Sequence, residues 1–176
     1  MHPASLGLMR KARGMIRDIL PERLTVLDVG GRNNSAKERS YIDVWGGDAD
    51  HYWVADILDA PNVTHHMDEP YRILIDDDTA DLVVSGQTLE HVHNPFRLVA
   101  EMVRILKPGG FIVLIAPSSG YTHEPVDCWR FYRDAFTGIA DEVGLTVVAD
   151  WIYTGDSGGD RGRLWDDHVF VGRKPA

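Results

Sequence analysis

Apolar and polar positions change their spacing twice between residues 81 and 115. Residues 82–84 and 111–115 are short continuous apolar runs, which are typical of parallel strands covered on both faces. Between these runs, apolar residues recur at helical spacing, at Phe96, Val99, Ala100, Val103 and Leu106. A basic residue, Lys107, and the breakers Pro108, Gly109 and Gly110 then end the helix. The pattern predicts a strand, a helix and a second parallel strand.

The same periodicities extend along the chain. They predict helices over residues 8–19 and 136–143. Strands are predicted at residues 25–29, 52–57, 63–67, 82–84, 111–115, 145–152 and 168–172. The last two are expected to pair as a hairpin. We therefore expect an α/β fold that is Rossmann-like and doubly wound: a mostly parallel seven-stranded sheet with an antiparallel edge hairpin and helices on both faces.

The length of 176 residues fits one domain with a substantial core. Within that domain we expect an N-terminal helix in residues 1–23 and a core in residues 24–152. A flexible loop and the last strand are expected in residues 153–176, because residues 155–162 are rich in glycine.

Composition and charge exclude several classes of function. The chain is 44% apolar and 26% charged, and no apolar run is long enough for membrane insertion. Cys128 is the single cysteine and the N-terminus lacks a signal-peptide pattern, so we expect a cytoplasmic location. The net charge of −9 would repel a phosphate backbone, so nucleic acid is not expected as a partner.

Carboxylates follow three predicted strands. Asp28 precedes the glycine turn Gly30–Gly31, and Asp56 and Asp68 lie at the ends of the next two strands. Each alone could be a turn residue. Three acids at successive strand ends favour a bound nucleoside, because ligands of such sheets lie beyond the carboxyl ends of the strands. If the second strand lay earlier in the chain, Asp43 would replace Asp56 as the ribose ligand.

The order of three segments carries a family resemblance. VLDVGG, the LEHV turn and RILKPGGFIVLIAP follow one another as in class I S-adenosylmethionine-dependent methyltransferases, which residues 24–152 resemble. The SGQ-LEH turn and the HEPVDCWRFY loop at 123–132 are similar to those of small methyltransferase-domain proteins. The first motif departs from the family, since Arg32 and Asn34 stand where glycines are usual.

The resemblance implies S-adenosyl-L-methionine as cofactor and assigns its contacts. Asp28 with the two glycines lines the methionine side, Asp56 with Ile57 the ribose, and Asp68 the adenine. The turn after the fourth strand lies beside the sulfonium. The implied cofactor-binding residues are Asp28, Gly30, Gly31, Asp56, Ile57, Asp68, Ser85, Gly86 and Gln87.

The methyl acceptor is expected between the loops after the fourth and fifth strands. His91, His123 and Asp127 are the candidate catalytic residues, because a histidine titrates near neutral pH and an acid can orient it. Trp129, Arg130 and Tyr132 are the candidate acceptor-binding residues, although a structural role for each is an equal alternative.

Glu90, His91 and a later histidine are also similar to methyltransferases that bind a divalent cation through an E-x-x-E-H turn. We expect no metal, because the first acid of that motif is replaced by the neutral Gln87.

We therefore expect an S-adenosylmethionine-dependent methyltransferase acting on oxygen or nitrogen of a small polar or glycan-linked acceptor. A homodimer could complete the acceptor pocket. The alternative is a catalytically inactive module of the same fold that binds the cofactor or a protein.

Overall fold

A computed structural model describes residues 3–33, 39–123, 125–154 and 165–176. Within them lie four α-helices, namely α1 (Pro3–Ile16), α2 (Ile42–Trp45), α3 (Pro95–Ile105) and α4 (Ala135–Val143). The strands are β1 (Leu24–Val29), β2 (Ala49–Asp56), β3 (His65–His66), β4 (Ala80–Gly86), β5 (Leu106–Pro117), β6 (Thr146–Thr154) and β7 (Asp166–Arg173). Two 3-10 helices, Arg17–Ile19 and Leu89–His91, follow α1 and β4.

All seven strands form one sheet in the order β3-β2-β1-β4-β5-β7-β6. The first five are parallel, and β7 runs antiparallel to both β5 and β6. The expected fold class is confirmed. The chain winds from β1 towards one edge and from β4 towards the other, so β1 and β4 flank the topological switch point. Ligands of such sheets bind at the carboxyl ends of these two strands.

Helices cover both faces because alternate residues of a strand point in opposite directions. Leu27 and Val83 join the buried cluster that includes residues of α3 and α4. Val26 and Leu82 join a second buried cluster with residues of α1 and α2. The central strands are thus apolar on both sides, as their continuous apolar runs indicate.

The bounds of several elements differ from expectation. Helix α1 starts at Pro3 instead of residue 8, since Leu6, Leu8 and Met9 already pack into the core. Strand β2 starts at Ala49 and stops one residue before Ile57. Strand β3 has only two residues, because the N–H of Val63 closes a turn by donating to the carbonyl of Ala60.

Strand β5 begins directly after α3, so the predicted helix breakers lie inside the strand. Leu106 pairs with Ala80, whereas Phe111 pairs with Leu82, and the residues between them form a bulge. Gly109 has φ = +80°, a conformation that glycine adopts at little cost.

The predicted edge hairpin is confirmed as β6 and β7. The glycine-rich segment at 155–162 lies outside the described residues. None of the helices described here combines the length and the apolar character needed to cross a membrane.

Candidate active site

Asp28 is a buried carboxylate at the end of β1. Its Oδ2 accepts a 2.8 Å hydrogen bond from the hydroxyl of Tyr52 on β2. Its Oδ1 is also buried and has no hydrogen-bond partner in the described part of the chain. Burial raises the pKa of Asp28 to about 7, the Tyr52 hydrogen bond opposes the rise, and the nearby charge of Asp56 adds to it.

The glycines after β1 allow the backbone to turn closely around Asp28. Gly30 has φ = +78°, a left-handed conformation that other residues adopt at a cost. A Cβ on Gly31 would lie 2.4 Å from the carboxyl carbon of Asp28. Asn62 steadies the loop by donating to the carbonyl of Gly31 over 2.8 Å. Of the two family departures, Asn34 lies outside the described residues.

Asp56 is the last residue of β2, next to the turn after β1. Its Oδ1 accepts a 2.9 Å hydrogen bond from the N–H of Leu58, so the side chain is oriented by the turn that it begins. Asp43, the alternative ribose ligand, lies instead in the first turn of α2. The position of Asp56 at a strand end therefore matches the expectation better than that of Asp43 does.

Ile57 and Asp68 lie closer to the protein surface than Asp28 does. The side chain of Ile57 is exposed, and Asp68 follows the two-residue β3 with an exposed carboxylate. Asp68 lies 3.9 Å from Nε2 of His66, which is too long for a hydrogen bond. Both are accessible to a ligand that lies along the strand ends.

Ser85 and Gly86 at the end of β4, and Gln87 directly after it, make different contacts. The hydroxyl of Ser85 donates a 2.8 Å hydrogen bond to the carbonyl of Val29, so it joins β4 to β1. Gly86 lies against Tyr41, whose phenol oxygen would be 1.7 Å from a Cβ at that position. Gln87 has φ = +56° and donates its side-chain amide to Asp167 over 2.9 Å.

The candidate catalytic residues meet beyond β4 and β5. The ring centroids of His91 and His123 are 5.0 Å apart. Nδ1 of His123 lies 3.2 Å from Oδ2 of Asp127, and Arg130 donates to both oxygens of that carboxylate over 2.5 and 2.8 Å. These hydrogen bonds hold the pKa of Asp127 well below its usual range, with Arg130 as the main cause.

The loop with the aromatic candidates is held against the turn after β4. The indole N–H of Trp129 donates to the carbonyl of Val92 over 2.8 Å, and the N–H of Cys128 donates to the carbonyl of Glu90 over 2.7 Å. Trp129 and Tyr132 remain exposed, at 40% and 71%. Phe131 between them is buried and stacks on Phe136 in the core.

Four residues of this region were not predicted as site residues, although Glu90 was considered as part of a metal motif. Tyr52 contacts Asp28, Asp167 contacts Gln87, and Glu90 is completely buried beside His91. Burial raises the pKa of Glu90 to about 8, and the charge of Asp167 adds to the rise. Glu90 carried a signal, since it is the acid of the LEHV turn.

Tyr41, the fourth residue, is a buried side chain at the end of β4. Its buried hydroxyl hydrogen-bonds Ser5 of α1 over 2.5 Å. Burial raises its pKa above the usual range, and the charges of Asp28, Asp167 and Glu90 all contribute. Tyr41 also packs against Gly86, so it fixes the end of β4 next to the turn that carries Gln87.

Comparisons with known proteins identify a methyltransferase domain in this chain. The family model described as "Methyltransferase domain" matches residues 27–114, which is half of the chain. An uncharacterized methyltransferase of Mycobacterium tuberculosis is 47% identical over 38 residues, covering 22% of this chain and 15% of that protein. The chain thus spans a small part of the curated relatives that it matches.

Solved structures share the fold along nearly the whole chain. The 1,6-didemethyltoxoflavin-N1-methyltransferase of Burkholderia thailandensis, solved with its substrate and S-adenosylhomocysteine, has a TM-score of 0.71 and 16% identity, covering 98% of this chain and 80% of that one. The YcgJ protein of Bacillus subtilis has a TM-score of 0.72 and 14% identity, covering 99% and 100%. At these identities the likeness concerns the fold.

Proposed function

Because the chain belongs to the methyltransferase domain family, we propose that it transfers a methyl group to an oxygen or nitrogen of a small polar acceptor, free or glycan-linked. Its cofactor is S-adenosylmethionine. When bound, this cofactor supplies an electrophilic methyl group on a sulfonium. The small-molecule substrate of the Burkholderia enzyme supports an acceptor of this size.

The residues at β1 fit the methionine end of the cofactor. That end carries an ammonium group, and Oδ1 of Asp28 is a buried acceptor with no other partner in the described chain. Gly31 keeps the backbone close to the same carboxylate, where a side chain would collide with it. Asp28 and the glycine turn would hold the ammonium, Asp56 and Ile57 the ribose, and Asp68 the adenine.

The acceptor side consists of the histidines and the 118–132 loop. The carboxylate of Asp127 can only accept from Nδ1 of His123, so Nδ1 carries the proton and Nε2 has the free lone pair. Nε2 of His123 would take the proton of an acceptor O–H or N–H as the acceptor's lone pair attacks the methyl carbon and the methyl–sulfur bond breaks, with S-adenosylhomocysteine as the leaving group. The ring of His91 lies next to that of His123, Arg130 holds Asp127, and the exposed rings of Trp129 and Tyr132 offer apolar surface.

One observation carries the proposal: Asp28 lies at the carboxyl end of β1 and the His123–Asp127 pair lies in the loop after β5, and these two parallel strands are separated in the sheet by β4 alone. The alignment of donor and acceptor in such a crevice is most of what methyl transfer requires.

The test is release of S-adenosylhomocysteine from S-adenosylmethionine in the presence of polyols, monosaccharides, glycosides and small amines. Turnover that depends on one of these acceptors, with a methylated product of the expected mass, supports the proposal. Tight cofactor binding without turnover on any acceptor would favour the inactive binding module instead.

A further inference from the structure

Three side chains with metal-ligating atoms converge between the turn after β4 and the loop after β5. Glu90, His91 and His123 each offer one ligand atom, and these atoms lie within 4.8 Å of one another. Two histidines and one carboxylate from separate loops are a donor set of the kind that binds divalent transition metals.

The carboxylate of Glu90 is the most informative member. Its side chain has 0% exposure, and neither oxygen has a hydrogen-bond partner in the chain as described. The ring of His91 approaches to 3.6 Å from Nε2 to Oε1, which is too long for a hydrogen bond. Buried carboxylates in proteins are ordinarily paired or bound to metals, because burial of an unpaired one is costly.

Both histidines are oriented as metal ligands are. Nδ1 of His91 lies 2.6 Å from the carbonyl oxygen of Val126, and Nδ1 of His123 lies 3.2 Å from Oδ2 of Asp127. These oxygens only accept, so each Nδ1 carries the proton and each Nε2 keeps its lone pair in the neutral ring. Metal-bound histidines usually donate their second ring N–H to a carbonyl or carboxylate in this way.

A further layer of contacts holds the His123 ring. Asp127 is fixed by two hydrogen bonds from Arg130 and also accepts from the N–H of His123 over 3.1 Å. The ring of Trp165 packs edge-on to His123 with centroids 4.9 Å apart. His123 is therefore held in place before any ligand arrives, which lowers the cost of binding.

We propose that Glu90, His91 and His123 bind one divalent transition-metal ion through a carboxylate oxygen and two Nε2 atoms. The 3.6 Å between Oε1 of Glu90 and Nε2 of His91 is close to the roughly 3.4 Å between two ligands of a tetrahedral ion with bonds of about 2.1 Å. Nitrogen donors favour Zn²⁺, Co²⁺, Fe²⁺ or Mn²⁺ over Mg²⁺ and Ca²⁺, which prefer oxygen.

This inference replaces the expectation of no metal, which depended on Gln87. Gln87 donates to Asp167, and the three-residue site does not use it. Three protein ligands leave a coordination position for an outside oxygen or nitrogen atom. The methyl acceptor could occupy that position, and this part of the inference alone rests on the proposed function. With metal bound, the two histidines would act through the ion and not as bases.

The test is titration of chelator-treated full-length protein with Co²⁺ alone, without cofactor or acceptor. Visible absorption bands and calorimetry report coordination and stoichiometry. We expect one equivalent to bind, and affinity to fall by at least about tenfold in Glu90→Gln and in His123→Ala. Asp127→Asn should lower affinity by about 10- to 100-fold, as loss of an outer partner does.

His51→Ala is the matched control, since His51 stacks on Trp53 of β2 and contributes nothing to the cluster. The Co²⁺ affinity of His51→Ala should equal that of the wild type. Circular dichroism establishes that each variant is folded. If His123→Ala does not fold, the near-isosteric Glu90→Gln still tests the proposal. Absence of a stoichiometric Co²⁺ site in the wild type, or equal affinity in the folded Glu90→Gln variant, would overturn the proposal. Because cofactor is absent, neither result bears on methyl transfer.

Discussion

The hydroxyl of Tyr52 donates a 2.8 Å hydrogen bond to one oxygen of Asp28 and leaves the other oxygen without a partner in the described chain. The bond crosses from the middle of β2 to the carboxyl end of β1. It partly offsets the burial of Asp28, whose pKa is nevertheless raised to about 7. A half-satisfied buried acid is a source of pH dependence, and under the proposed function it also accepts from the ammonium group of the cofactor.

Asp28 should make the ligand-free protein less stable as the pH rises. The folded state keeps the proton on Asp28 up to a pKa of about 7, whereas an unfolded chain releases it near the ordinary value of 3.8. Between these values the folded state binds more protons, so stability falls with rising pH, by an upper limit of about 4 kcal/mol for this group. Urea denaturation between pH 4 and 8 measures the effect.

In Asp28→Asn that part of the pH dependence should disappear, because the amide does not titrate. Asp141→Asn, at an exposed position of α4, is the control and should retain the wild-type profile. If Asp28→Asn has the same pH profile as the wild type, the burial argument for Asp28 is wrong.

Gly86→Ala should destabilise the protein, because a Cβ would lie 1.7 Å from the phenol oxygen of Tyr41. Tyr41 is buried and bonded to Ser5, so it has little room to move, and a loss of about 1–3 kcal/mol is expected. Gly7→Ala in α1 meets nothing within 4 Å and should instead stabilise by about 0.5–1 kcal/mol. Denaturation midpoints of both variants check this, and similar shifts in the same direction would contradict it.

Removing the carboxylate should change the stability of the protein in opposite directions at two buried glutamates, Glu90 and Glu101. The oxygens of Glu90 have no hydrogen-bond partner among the described residues, so Glu90→Met should stabilise the metal-free protein by about 1–3 kcal/mol. Glu101 accepts from the N–H of Ile73 and from Arg104, so Glu101→Met should destabilise by about 1–3 kcal/mol. Denaturation in the presence of chelator measures both. Destabilisation by Glu90→Met would show that its carboxylate is satisfied in solution.

His123→Ala should reduce turnover far more than cofactor affinity, because the residue lies on the acceptor side with Asp127. A loss of about 100-fold or more in kcat is expected whether His123 acts as a base or through a metal ion. Steady-state rates and calorimetry with S-adenosylmethionine separate the two effects. Equal losses in rate and in affinity would place His123 in the cofactor site instead.

The fold could be predicted because local patterns decide it. The continuous apolar runs at β4 and β5 and the amphipathic α3 are properties of neighbouring residues, and they define a buried parallel sheet on their own. The boundaries of the strands and helices were harder to predict. The bulge after Leu106 and the shortness of β3 depend on hydrogen bonds with distant strands and turns, which periodicity does not contain.

The sequence singles out candidate site residues only where they follow strand ends. Asp28, Asp56 and His123 became candidates in this way, whereas Tyr41 and Tyr52 looked like ordinary aromatic residues of the chain. Their roles arise from pairings 24 and 36 residues apart, Tyr52 with Asp28 and Tyr41 with Ser5. Glu90 was noticed but undervalued, because its burial and its closeness to His123 are tertiary facts.

The most direct test of the account is calorimetric titration of S-adenosylmethionine into the wild type, Asp56→Ala and Asp43→Ala. We expect one site in the wild type and weaker binding in Asp56→Ala by about 1–3 kcal/mol, from loss of hydrogen bonds between the ribose and a charged acceptor. Asp43→Ala, altered in α2, should bind as the wild type does. No binding by the folded wild type, or equal affinity in all three proteins, would contradict a cofactor site at the carboxyl ends of β1 and β2.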